Sequence, residues 1–274
     1  MEFAILLLSA CIIAALVLVV MIVIRPPAWT AIAAGVNDRP WSLSHVGLLT
    51  ATVLCGMGVL SFMLWLAINQ GWQDLDFPLY AGLVPGVMFV HLPCLAVIRL
   101  VMYLEHISLK DGFGIEPGNA LRRATSGIFI GMGTYPLVCI VVISSLWLFQ
   151  KLELQGDQQS VAQMIKSTIE APWYVRVSVV AIAVIIVPAV EELVFRGIAL
   201  PAAARRLGFL PAAIMVSLVF AILHVEVSTY APLFILSLAL CIAYAHSGSM
   251  LVPFAMHATF NLIQIALLPF DTLQ

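Results

Sequence analysis

The sequence predicts an all-α protein that crosses a membrane about eight times. Of its 274 residues, 63% are hydrophobic and only 9% are charged, whereas a soluble domain carries about 25% charged residues. The hydrophobic residues form long stretches, and about 20 of them in a row are enough for one helix to cross a bilayer. Short polar segments such as 70–74 (QGWQD) separate these stretches. A polytopic membrane protein follows from these observations without any motif.

Charges and turn residues mark the ends of the predicted spans. The first stretch, 3–24, is longer than the apolar part of a signal peptide and has no basic segment before it or cleavage site after it. It ends at Arg25 and two prolines, so we expect it to be retained as the first helix. Polar turns at 70–74 and 110–112 follow the second and third spans. The eight candidate spans are 3–24, 46–69, 80–104, 125–149, 174–200, 209–227, 229–245 and 249–269.

The longest polar loop, at about 150–173, predicts a division of the chain into two parts. It leads into Trp173 and Tyr174, an aromatic pair suited to the membrane interface. The N-terminal part, 1–150, contains four candidate spans of unknown role. The C-terminal part, 151–274, contains the other four and nearly all of the unusual intramembrane polar residues.

The basic residues of the loops predict the orientation. Cytoplasmic loops carry an excess of lysine and arginine. One side of the predicted bundle has only Lys151, Lys166 and Arg176, all in or beside the long loop. We therefore expect a multi-pass protein of the cell membrane with both termini outside. The residues predicted to be cytoplasmic are Arg25, Arg39, Lys110, Arg122, Arg123, Arg205 and Arg206.

Charge and cysteine content exclude several other classes. A net charge of −2 gives no basic surface for a nucleic acid, so the expected partners are the lipid bilayer and a membrane-associated protein or peptide. Five cysteines lie singly in apolar stretches, without the density of a disulfide scaffold or the CxxC spacing of a metal site. We interpret them as small packing residues.

Two adjacent carboxylates and an arginine follow the uncharged run 177–190. A carboxylate at bilayer depth is costly and therefore indicates a functional site. On a helix, Glu192 and Arg196 share a face at i and i+4 and can pair, whereas Glu191 points elsewhere and needs another partner. A desolvated carboxylate beside a histidine is typical of a general base. A satisfied ion cluster that only holds helices together is the alternative interpretation.

Two later apolar stretches carry histidines. His257 and Asn261, at i and i+4, lie on one face of the last predicted helix. They suit an oxyanion site, but for this pair alone a polar contact between helices is the favoured interpretation. Counted from the cytoplasmic ends of their helices, Glu191 and His257 lie at similar depths of about 14 and 12 Å. His224 comes out at about 24 Å, too deep unless its helix is tilted or begins outside the hydrocarbon; a hydrogen-bonded core histidine is its alternative interpretation.

Together these residues resemble the CAAX protease and bacteriocin-processing family, which includes the type II CAAX prenyl endopeptidases. The resemblance rests on Glu191-Glu192-x-x-Phe195-Arg196-Gly197, then Phe220-x-x-x-His224, then His257-x-x-x-Asn261, and it covers residues 172–266. The segment 247–253 also resembles the family's, although His246 stands where the family usually has arginine. The sequence has no HExxH motif, as a zinc protease of that type would have, and no aspartate inside a predicted span, as an aspartyl protease would need.

The resemblance implies an all-helical intramembrane endopeptidase. By it, Glu191 and His224 would activate a water, and His257 with Asn261 would stabilise the oxyanion. Glu192 and Arg196 would be supporting residues. A non-proteolytic immunity or scaffold protein of the same fold, or a proton-coupled transporter, are the alternatives.

We expect catalysis without a cofactor or metal. A ligating histidine needs an acceptor for its other ring nitrogen, and the sequence offers few beyond Ser217 and Thr259. Zinc sites of this type also usually take two ligands from one short helical motif. The less favoured alternative is zinc held by Glu191, His224 and His257, a known catalytic ligand set.

Overall fold

The computed structural model describes residues 2–24, 35–70, 83–153, 168, 171–224 and 226–271. These residues form helices and short turns, without a strand among them. We number the helices α1 to α9 in chain order. They are α1 (Glu2–Ile24), α2 (Leu43–Asn69), α3 (Val84–Leu104), α4 (Leu109–Phe113), α5 (Ala120–Lys151), α6 (Trp173–Leu207), α7 (Phe209–Ile222), α8 (Tyr230–Ser247) and α9 (Leu251–Asp271).

The predicted class is confirmed: the protein is all-α, polytopic and membrane-embedded. Within the described ranges, six helices are long and apolar enough to cross a bilayer, namely α1, α2, α3, α5, α6 and α8. The other two predicted spans correspond to shorter apolar helices, Phe209–Ile222 and Leu251–Leu267. The number of eight crossings is therefore not established. Part of the predicted span 80–104, at 80–82, lies outside the described residues.

Three stretches of π-helix widen α3 and α6, and each ends two residues before a proline. Val87–His91 precedes Pro93, Ile182–Ile186 precedes Pro188, and Leu193–Ala199 precedes Pro201. A proline inside a helix has no N–H to donate, and its ring collides with the carbonyl four residues earlier. An extra residue in the turn relieves that collision. The helix that carries the two glutamates is therefore wider than a regular α-helix on both sides of them.

Arg39 joins three connections at one end of the bundle. Its Nη1 donates to the carbonyls of Lys110 and Asp111 at 2.8 and 3.0 Å, and its Nη2 donates to that of Gly248 at 2.6 Å. Gly114, in the left-handed region at φ +66°, lies so close to the Gly248 carbonyl that a Cβ would overlap it. Alternate connections therefore lie at the same end, as the assignment of spans requires. The prediction that this end is cytoplasmic stays a prediction.

Helix α7 is shorter than the predicted span 209–227. It ends at Ile222, and His224 lies in the turn after it. Glu226 begins the next element, because its side chain accepts the backbone N–H of Ser228 at 3.3 Å and caps the 3₁₀ turn Val227–Thr229. His224 is therefore a turn residue beyond the end of α7. Its depth in the membrane stays a prediction.

Helix α5 lies centrally and packs against α1, α8 and α9. Buried residues form two hydrophobic clusters, one around Trp41, Phe113 and Tyr244, the other around Tyr135 and Met256. The predicted division at residue 150 stays a prediction, but helices from its two sides pack directly against each other. Residues 1–150 thus contribute to the surroundings of the C-terminal helices.

Candidate active site

A buried carboxylate lies at the centre of the site. Glu192 Oε1 accepts from Arg196 Nη1 at 2.9 Å and from His257 Nδ1 at 2.8 Å. The side chains of Glu192 and Arg196 are 0% exposed, and that of His257 is 6% exposed. The predicted i, i+4 pairing is therefore present. The same carboxylate oxygen also fixes the histidine of α9, which was not predicted.

Arg196 is held on more than one side. Its Nη2 donates to the hydroxyl of Ser237 at 2.7 Å and to the carbonyl of that residue at 3.3 Å. The guanidinium carbon lies 4.6 Å from the ring centre of Phe220, a distance suited to a cation–π contact. Arg196 therefore ties α6 to α7 and α8, while Glu192 ties α6 to α9.

Glu191 lies beside this cluster and is the more accessible of the two glutamates. Its side chain is 22% exposed, and its Oε2 is 3.9 Å from His257 Nε2. This distance is too long for a direct hydrogen bond. His257 thus lies between the two carboxylates, with Nδ1 bonded to one and Nε2 directed toward the other. The similar depths predicted for Glu191 and His257 agree with this contact.

His224 reaches the cluster through an aromatic ring. Its Nδ1 donates to the Phe220 carbonyl at 2.8 Å, so in the neutral form its Nε2 is the free acceptor. The Phe220 ring centre lies 4.9 Å from that of His224 and 6.1 Å from that of His257. Among the described contacts, the imidazole nearest Glu191 is that of His257. The prediction that His224 and Glu191 act together on a water molecule stays a prediction.

Asn261 binds a backbone carbonyl that α6 leaves free. Its Nδ2 donates to the carbonyl of Ala183 at 2.8 Å. In the π stretch, Val187 N–H bonds to Ile182, and the next residue, Pro188, has no N–H. The Ala183 carbonyl therefore lacks its usual helical donor, and Asn261 supplies one. An amide nitrogen carries two hydrogens, so one N–H of Asn261 remains for a ligand.

The three residues considered for zinc do not converge. No group of three or more His, Cys, Asp or Glu side chains in the described ranges lies close enough to hold a metal ion. One reason given against a metal was nevertheless wrong. Both histidines have an acceptor for Nδ1, Phe220 O for His224 and Glu192 Oε1 for His257, where only Ser217 and Thr259 had been considered. Metal independence stays a prediction.

Sequence patterns alone did not identify three participants. Ser237 carries the only side-chain hydroxyl in the apolar run 231–243. An isolated serine in a membrane-spanning helix often contacts another helix, and this signal could have indicated it. The sequence shows Phe220 only as part of a motif, whereas in the structure its ring contacts Arg196 and both histidines. Pro188 indicates a carbonyl without its helical donor, but in a regular helix that carbonyl is Val184's; the π-helical register of the structure shifts it to Ala183.

A comparison with known protein families matches the part of the chain that contains the candidate site. Residues 172–263 match the family model described as type II CAAX prenyl endopeptidase Rce1-like. The predicted family resemblance is confirmed. The Rce1-like segment contains all six predicted site residues, which lie on α6, on α9 and in the turn after α7. No curated protein and no solved structure matches the chain significantly.

Proposed function

We propose that this protein is an intramembrane endopeptidase that hydrolyses a peptide bond of a membrane-associated protein or peptide. One observation carries the proposal: a glutamate, Glu191, stays partly accessible beside a buried ion cluster, inside the Rce1-like segment. The cluster fixes its neighbour Glu192 and His257, so Glu191 is the carboxylate left to meet a substrate. We assign the protein to the cell membrane.

Charge balance defines the role of His257. Two ionised glutamates and one arginine leave one net negative charge, which is costly in an apolar interior. An imidazolium at His257 makes the group neutral, with Nδ1–H donating to Glu192 and Nε2–H directed toward the side of Glu191. A charged N–H donor of this kind can stabilise a developing oxyanion, and the remaining N–H of Asn261 can add a second bond.

Glu191 and His224 are the groups that we assign to the water. Glu191 removes a proton from a water molecule while the water oxygen attacks the scissile carbonyl carbon. His224 orients that water through its free Nε2. The carbonyl oxygen becomes the oxyanion held by His257 and Asn261. When the tetrahedral intermediate collapses, Glu191 returns the proton to the leaving amine. Glu192 and Arg196 hold His257 in place.

Because the substrate is unidentified, the test measures cleavage across all membrane proteins. It compares two substitutions of the same chemical kind, one at Glu191 and one at a glutamate outside the site. Membranes from cells that express the wild type, Glu191→Gln or Glu116→Gln are analysed for new protein termini. We expect the wild type and Glu116→Gln, a loop variant, to produce the same new termini, and Glu191→Gln to produce none while unfolding at the wild-type temperature. Identical termini in all three, or none in any, would overturn the proposal and favour a scaffold. Glutamate-dependent proton flux in liposomes without cleavage would favour a transporter.

We also propose that the reaction needs no metal. Purified protein should contain less than one zinc per chain by elemental analysis and should keep its activity after dialysis against a chelator. Zinc at one per chain, with activity lost on removal and restored on addition, would contradict this and would assign Glu191, His224 and His257 as ligands.

A further inference from the structure

Helix α9 lies between the ion cluster and α5. Around an α-helix with about 100° per residue, Met256 and Thr259 are about 100° and 160° from His257. His257 faces Glu192 on α6, whereas Met256 and Thr259 face α5. Helix α5 therefore supports α9 from behind. It belongs to residues 1–150, outside the Rce1-like segment.

Two glycines let α5 approach the backbone of α9. A Cβ on Gly131 would lie 2.8 Å from the Met256 carbonyl oxygen and 3.1 Å from the Met256 Cα. A Cβ on Gly127, one turn earlier, would collide with the Val252 carbonyl and lie 2.8 Å from the Ala255 Cβ. One turn later, the Tyr135 ring packs on Phe260 with centres 5.4 Å apart. The contact thus extends over three turns and passes directly behind His257.

These contacts limit how α9 can move. Backbone atoms cannot rotate away as a side chain can, so bulk at Gly131 must displace α9 itself. In front of α9, His257 already lies 2.8 Å from a fully buried Glu192. A displacement of several tenths of an ångström would therefore change the geometry of His257.

We propose that Gly131 is a positioning residue, which holds His257 in register with Glu192 and Glu191 by allowing close contact between α5 and α9. Only the predicted change in turnover rests on the proposed function; the predicted change in the position of His257 does not. Through α5, the N-terminal part of the chain then supports the face of α9 that points away from the active site. It acts through α9 and does not touch the substrate.

Gly133 provides a matched control. It lies on the same helix but packs on α1, where a Cβ would meet the end of the Leu18 side chain and lie 3.1 Å from the Ala14 carbonyl, so alanine there displaces α1 and not α9. Gly58 provides a second control, because no atom lies within 4 Å of a Cβ built there. The same glycine-to-alanine change can therefore be made behind His257, on another face of α5, and in open space.

Turnover is measured for the three variants on a substrate found by terminal peptide analysis. Gly131→Ala should lower kcat by about 10- to 100-fold with KM within about twofold, because small misplacements of catalytic groups are costly. Gly133→Ala and Gly58→Ala should keep the wild-type kcat. An equal loss for Gly131→Ala and Gly133→Ala, or no loss for either, would overturn the proposal.

A second measurement does not need activity. The ¹⁵N signals of the His257 ring, assigned by their loss in His257→Gln, should shift in Gly131→Ala and stay unchanged in Gly133→Ala. Unchanged signals in Gly131→Ala would contradict positioning even if the protein proves not to be a protease. If Gly131→Ala does not fold, Tyr135→Leu removes packing from the same face without adding bulk and should shift the same signals. An unshifted spectrum in that folded variant would also overturn the proposal.

Discussion

Two ion pairs of nearly equal length lie in very different surroundings. Glu192 and Arg196 meet at 2.9 Å with both side chains 0% exposed. Lys110 and Glu116 meet at 2.8 Å in the connection before α5, with side chains 71% and 42% exposed. Water and salt screen the second pair, whereas the first lost its hydration when the helices packed. The distance is thus a poor guide to what each pair contributes, and burial decides it.

The buried pair also has partners that the exposed pair lacks. His257 bonds to the shared oxygen of Glu192, and Ser237 bonds to Arg196. Removing one member of such a buried group leaves the opposite charge uncompensated, which is strongly destabilising. The exposed pair can lose either member and let water replace it. Of the two, the buried pair is therefore the one that holds an imidazole, that of His257, in one orientation.

The largest expected effect comes from breaking the buried pair alone. Glu192→Gln leaves Arg196 as an uncompensated buried charge and should lower the free energy of unfolding by about 3–5 kcal/mol. Glu116→Gln is the same chemical change in the exposed pair and should leave the unfolding temperature nearly unchanged. Thermal unfolding of both variants in detergent measures the difference. Equal shifts would show that burial does not distinguish the pairs.

Removing both buried charges sharpens this comparison. The double variant Glu192→Gln, Arg196→Met should be more stable than Glu192→Gln alone, because no unpaired charge remains. It should still lose activity, since His257 has lost its ionised partner. A double variant less stable than the single one would mean that the lost packing of Arg196 on Phe220 outweighs the charge.

A smaller effect is expected at Asn261. Asn261→Ala removes the hydrogen bond to Ala183 and should cost about 1 kcal/mol of stability. If the second N–H binds the oxyanion, kcat should also fall while KM changes little. Combining steady-state kinetics with thermal unfolding separates the two roles. A stability loss with unchanged kcat would make Asn261 only a contact between helices.

The smallest effect concerns the exposed pair and pH. The hydrogen bond and charge of Lys110 lower the pKa of Glu116, and the Glu116 carboxylate raises the pKa of Lys110. The stability that the carboxylate contributes is therefore present at neutral pH and lost as pH falls through its lowered folded-state pKa. That of the lysine is lost as pH rises through its raised pKa. Comparing unfolding temperatures of the wild type and Glu116→Gln should show a small difference at neutral pH that disappears in acid and in high salt.

Local spacing predicted only part of the buried site. The Glu192–Arg196 pair depends on two positions four residues apart, and helical periodicity was enough to find it. The bond from His257 to the same carboxylate joins residues 65 positions apart. Helical spacing cannot show which of two adjacent glutamates faces a distant helix. The packing of α9 against α6 selected Glu192 for the bond and left Glu191 accessible.

The amino-acid sequence was enough to predict the helical membrane class, the family resemblance and the pairing of Glu192 with Arg196, because each depends on composition or on the spacing of residues within short segments. The tertiary structure decided the rest. It ended α7 at Ile222 and so placed His224 in a turn, and it turned His257 toward Glu192. It also brought Asn261 to the Ala183 carbonyl that Pro188 leaves free. These contacts join separate helices, and their geometry depends on how closely the backbones approach one another.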